Sequence, residues 1–89
     1  MLGNYPNPFN PSTVIRFQVA EDRKQVSIEI FNIRGQRIRE LVSGVWDQGF
    51  HSVEWNGEDS NGRKVSSGIY FFRFVTDDAV EMKKMLLLK

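Results

Sequence analysis

Apolar residues recur at every second position from Thr13 onward. Ile15, Phe17 and Val19 alternate with Arg16 and Gln18, and Val26, Ile28 and Ile30 alternate with Ser27 and Glu29. A period of two sends successive side chains to opposite faces of a strand, whereas a helical face returns every 3.6 residues. The spacing predicts strands over 13–19 and 25–32. Arg34-Gly35 punctuates, and 36–42 forms a third strand in which Ile38 and Leu41 break the alternation. A bulge reconciles them, and so does an irregular edge. Gly44 and Gly49 bracket a loop, after which Val53 and Trp55 share one face of a strand over 50–56. The stretch 57–62 is dense in turn formers, and Asn61-Gly62 is the strongest hairpin signal in the chain, because both residues tolerate positive φ. An aromatic strand follows over 68–76, Asp77-Asp78-Ala79 turns it, and 80–88 closes the domain.

Short strands separated by turn clusters define an all-β, Ig-like antiparallel β-sandwich of six or seven strands. Pro6, Pro8 and Pro11 are the only prolines, and they stiffen a segment that lacks the amide donors of a central strand. Residues 1–12 therefore read as a proline/asparagine-rich lead-in from an upstream linker, and 13–89 as the sandwich.

Composition narrows the classes. Eighty-nine residues suffice for one domain, and 40% apolar content supports a small core. Twelve cations against eleven acids leave a net charge of +1, which is no footprint for nucleic acid or an anionic membrane. Absent cysteine removes disulfides and thiolate chemistry. The longest apolar runs, 69–72 and 85–88, are each four residues, far from the ~20 of a spanning helix, so no membrane insertion is expected. Met1-Leu2-Gly3-Asn4 does not read as a signal peptide.

The candidate chemistry is sparse. His51 is the only histidine, and its neighbour Ser52 faces the other way in an alternating strand, so no catalytic triad is expected. The carboxylates are scattered among turns, where Asp caps backbone amides. Asp59-Ser60-Asn61-Gly62 resembles the start of a calcium loop, but Arg63 and Lys64 follow where oxygen ligands are needed. Trp55 and Tyr70 fall in phase with core positions, while Trp46 and Tyr5 are freer to stack on a sugar. These residues point to a non-enzymatic module with no catalytic residue, metal or cofactor.

Several blocks carry a family resemblance. Asn4-Tyr5-Pro6-Asn7-Pro8-Phe9-Asn10-Pro11-Ser12-Thr13 followed by Ile15-Arg16-Phe17 resembles the opening of the C-terminal sorting domains of the type IX secretion system. Ile30-Phe31-Asn32-Ile33-Arg34-Gly35-Gln36, His51-Ser52-Val53-Glu54-Trp55-Asn56-Gly57, Val65-Ser66-Ser67-Gly68-Ile69-Tyr70-Phe71 and the closing Lys84-Met85-Leu86-Leu87-Leu88-Lys89 continue it in order. The stretch from Trp55 to Tyr70 is also similar to the Ig-like domain of the flagellar hook-capping protein.

The first resemblance implies a secretion signal at the end of a larger cargo protein. It implies passage through the periplasm, recognition by the type IX machinery (outer-membrane translocon and sorting or attachment components), and a destination outside the cell or on its surface. The family's motif elements fall on Asn32, Gly35, Gly68, Tyr70, Lys84 and Lys89. Some members separate their closing lysines by three residues, whereas four lie between Lys84 and Lys89. As plain structure, Asn32 and Gly35 shape a turn, Gly68 opens a strand where a side chain would obstruct, and Tyr70 packs with its hydroxyl on backbone. The last strand is itself a candidate signal, because an exposed edge can pair with a receptor strand. The alternative is a structural Ig-like domain of the flagellar type or a surface-protein spacer, with carbohydrate binding behind it. On the sorting reading the chain is expected to be a fragment, with its cargo domain upstream.

Overall fold

The structure, a computed structural model, describes residues 2–88. Seven strands follow in chain order: β1 (Gly3–Tyr5), β2 (Thr13–Val19), β3 (Lys24–Asn32), β4 (Arg37–Trp46), β5 (Gly49–Trp55), β6 (Gly68–Val75) and β7 (Val80–Leu87). They form two antiparallel sheets, β1-β2-β5 and β4-β3-β6-β7, packed as an Ig-like sandwich. No helix is long and apolar enough to cross a membrane among the described residues.

The period-two positions build the core. Ile15, Phe17 and Val19 face Val26, Ile28 and Ile30 across the layers, each at most 2% exposed. Each such side chain contributes about 1.5–3 kcal/mol by leaving water. In β6 the alternation buries Tyr70, Phe72 and Phe74 and leaves Phe71 and Arg73 on the outer face. Trp55, fully buried, packs edge-on against Tyr70 at 5.4 Å and beside Phe9 at 5.6 Å.

The irregular third strand has its bulges. Register shifts between Ile28/Glu29 and Ile30/Phe31 pass over Leu41 and Ile38, the two residues that broke the alternation. Both extra residues pack against the core. Bulging lets β4 turn two more apolar side chains inward without flipping the rest of the strand.

Three features depart from the sequence reading. Gly44 lies inside β4, paired with Val26, and the expected loop contracts to Asp47 and Gln48. The ladder along β3 outweighs the intrinsic reluctance of glycine, and the short turn is held by the Gln48 amide donating to Asp22 Oδ1 at 2.8 Å. Asn61-Gly62 does form its turn, with Gly62 at φ 79°, but no ladder hairpin surrounds it. Strands β5 and β6 belong to different sheets, so the turn sits within a crossing connection fastened by one bridge, Glu58 to Lys64.

The third departure is the proline segment, which packs onto the sandwich. Residues 3–5 add an edge strand to β2, and Phe9 inserts into the core at 2% exposure. The Phe9 amide donates to the Leu86 carbonyl, and the Leu88 amide donates to the Phe9 carbonyl, both at 2.9 Å. Asn7 continues this seam by accepting from the Leu86 amide at 3.1 Å. Prolines suit an outermost segment whose missing donors face away from the sheet.

Candidate functional site

Two turns with one hydrogen-bond plan lie at the end of the sandwich where β3 and β5 finish and β6 begins. In the first, Asn32 Oδ1 accepts from the amides of Arg34 and Gln36, each at 3.0 Å. The Asn32 amide donates to the Gln36 carbonyl, and Gly35 donates back to the Asn32 carbonyl, again at 3.0 Å. In the second, Asp59 Oδ1 accepts from Asn61 at 2.9 Å and Arg63 at 3.0 Å. The Asp59 amide donates to the Arg63 carbonyl at 2.9 Å, and Gly62 donates to the Asp59 carbonyl at 3.1 Å. Gly35 and Gly62 take φ of 82° and 79°, the left-handed geometry that lets each turn close.

A groove of about 530 Å³ runs between these turns. Asn32 and Arg34 form one wall, and Asp59, Arg63 and Lys64 the other, with Val65 and Ile69 between. Ile33, Gln36, Ile38, Ser66, Ser67, Gly68 and Tyr70 complete it. The Tyr70 hydroxyl donates to the Ser66 carbonyl at 2.6 Å, fixing the approach to β6 as the packing reading expected. Gly68 has φ 152°, and a Cβ there would meet nothing within 4 Å. Backbone conformation, rather than crowding, makes this position favour glycine.

The structure therefore brings Asn32, Gly68 and Tyr70 to one groove, with Gly35 in the adjoining turn. Lys84 stands apart. It pairs with Phe71 across the ladder and lines a smaller hollow of about 150 Å³ with Asn7, Ile69 and Leu86. Lys89 lies outside the described residues. Arg34, Arg63 and Lys64 emerge only from the fold, although the repeated Asx-x-x-Gly spacing of 32–35 and 59–62 is visible in the sequence.

Behind the first turn, Glu29 holds the outer face of the larger sheet. Its carboxylate accepts from Arg73 at 2.6 Å and Arg37 at 3.0 Å, and Arg73 also lies over the Phe31 ring. Hydrogen bonds from Arg73 and then Arg37 hold the carboxyl below its ordinary range, against the opposing effect of burial. At the far end, Lys24 is held above its ordinary range by the hydrogen bonds it donates to Asp78 and Glu21.

The remaining candidates lie away from this groove. His51 donates from Nε2 to the Asp47 carbonyl at 2.7 Å and stacks near Phe17 and Trp46, away from the two turns. Trp46 is thereby engaged within the protein, while Tyr5 is 74% exposed. No group of three or more His, Asp or Glu side chains is placed to hold a metal among the described residues.

Residues 6–79 match the FlgD Ig-like domain family. Among solved structures, PorU of Porphyromonas gingivalis, described as dimeric and latent, superposes with a TM-score of 0.81 at 19% identity. That likeness covers 98% of this chain and 9% of PorU. PorZ of the same organism, described as an essential bacterial surface component of the type IX secretion system, gives 0.74 at 20% identity, covering 99% of this chain and 11% of PorZ. FlgD of P. aeruginosa gives 0.66 at 20% identity, covering 84% of this chain and 60% of FlgD. The chain thus spans about a tenth of the first two proteins, and these likenesses establish the shared fold. No curated protein matches. With 74 consecutive residues matched, on a sandwich that superposes from end to end, the chain belongs to the FlgD Ig-like domain family.

Proposed function

We propose that this domain is a non-catalytic sorting signal of the type IX secretion system, carried by a longer exported protein and read at the turn-bearing end of the sandwich. The observation that carries this reading is the gathering of Asn32, Gly68 and Tyr70 on one groove, with Gly35 beside it. These positions are far apart in sequence and bear the family's motif elements. The description of PorZ as a type IX surface component supports the same system. The partners on this reading are the translocon and its sorting components, and the destination is the medium or the cell surface. A structural role of the flagellar type is the second reading, and the family match favours it directly.

The two separate in cells. A reporter bearing an export signal and this domain at its C-terminus should accumulate in the medium of a type IX-competent strain and stay periplasmic in a translocon-deficient one. Folded reporter retained in the periplasm of both strains would leave the structural role standing. Deleting residues 85–89 is a poor test, because Met85 and Leu87 are fully buried and their loss would unfold the domain.

A further inference from the structure

We propose that the groove between the two Asx turns binds an acidic, extended segment of a partner protein, held by Arg34, Arg63 and Lys64. The three side chains come from two turns and line one groove. None of them has an anionic partner among the described residues, whereas Lys24, Arg37 and Arg73 each sit in an ion pair. The one acid in the groove wall, Asp59, directs its Oδ1 to two backbone amides.

The charges of the molecule are unevenly spread along its 37 Å length, with Glu58 and Asp59 in the connection beside the groove. Glu21, Asp22, Asp47, Asp77 and Asp78 all lie in turns at the far end, which holds only Arg23 and Lys24 against them. A field with this polarity draws an acidic partner toward the groove and turns the other end away. The shape of the groove selects a chain over a small anion. Its cations are spread over two turns instead of converging on one point, and Val65, Ile38 and Ile69 supply apolar surface between them. An extended peptide matches this, since its side chains alternate about every 3.3 Å and can present acids to the rim and aliphatics to the floor.

The inference deepens the reading of this end as the recognised face and rests on it. It is tested on the full chain by two-dimensional NMR, titrating a blocked heptapeptide that alternates glutamate and valine. The amides of residues 34, 63 and 65–69 should shift, and affinity should fall about tenfold between about 50 mM and about 300 mM salt, as rim charges are screened. The R34E/R63E/K64E variant should lose binding while keeping its melting temperature, and Arg16→Glu, on the other sheet, should bind as the parent does. No shifts, shifts confined to other surfaces, or equal binding of a glutamine–valine heptapeptide would overturn the proposal. Secretion of the reporter is scored separately. Failure of the parent domain to export it rejects the sorting reading, and charge-independent or absent peptide binding rejects the groove.

Discussion

The turns at 32–36 and 59–63 share the four hydrogen bonds that close them, yet they are supported differently. The first closes a hairpin whose arms, β3 and β4, pair along their whole length. The second stands inside a connection between sheets and has one bridge beneath it. Its support comes from the core and from one point on β4: the Trp55 indole donates to the Glu58 carbonyl at 2.9 Å, the Val65 amide donates to the Gly57 carbonyl at 2.9 Å, and the Ser60 amide and hydroxyl both donate to the Ile38 carbonyl at 3.1 Å. The same closing chemistry is thus held by a full ladder in one case and by a buried aromatic with a single tie to β4 in the other. The comparison separates what a turn motif encodes from what keeps it in place.

Removing the aromatic support should have the largest effect. Trp55→Ala should cost about 3–5 kcal/mol, a large part of the ~5–10 kcal/mol available to a domain this small. Trp55→Phe keeps much of the packing but orphans the Glu58 carbonyl. In hydrogen exchange it should deprotect residues 59–63 while leaving 32–36 protected. Equal loss at both turns would erase the distinction between them.

Next comes the ladder side. Glu29→Gln should cost about 1–2 kcal/mol in urea unfolding, because Arg73 and Arg37 lose a charged acceptor that is only 12% exposed. Since the folded carboxyl is held below its ordinary range, its contribution is complete above about pH 4.3, the unfolded value, and is lost as pH falls through the folded value. The parent's acid limb of stability should flatten in the variant.

Gly35→Ala and Gly62→Ala should each cost about 1–2 kcal/mol locally, from positive φ alone, because a Cβ at either site meets nothing within 4 Å. The global midpoint should move more for Gly35, whose turn opens only with the ladder, than for Gly62, whose connection can open by itself. The smallest effect belongs to the swap Asn32→Asp with Asp59→Asn. Both side chains hold their turn through an oxygen acceptor, and the donor that Asn32 Nδ2 offers to the exposed Gln36 Oε1 is replaced when that amide turns its Nε2 toward the new carboxylate, so stability should change by less than about 0.5 kcal/mol. Asp59→Asn alone should also tighten the acidic peptide, by removing the one acid from the groove.

Legibility followed the range of the interaction. The strand over 13–19 was readable to the residue, because its alternation depends only on one wet and one dry face. The bulges at Ile38 and Leu41 were signalled by apolar residues out of phase, and Tyr70 by its phase within an aromatic strand. Phe9 was hidden. Prolines flank it on both sides of a short segment that reads as a linker, and its burial depends on Trp55 and Leu87, distant in sequence. Gly44 was misplaced for a related reason: a partner strand overrode a local breaker.

By itself the sequence determined an all-β chain, its core faces and most of its turn residues, because periodicity and turn preference are set by neighbours along the chain. Only the tertiary structure decided that the proline segment seams the edge of β7 and that two distant Asx turns enclose one groove. It also decided that three cations with no anionic partner among the described residues line that groove, while Glu21, Asp22, Asp47, Asp77 and Asp78 lie in turns at the far end. Those arrangements follow from which strands pair and which connections cross between sheets, and the packing of the whole core selects among them.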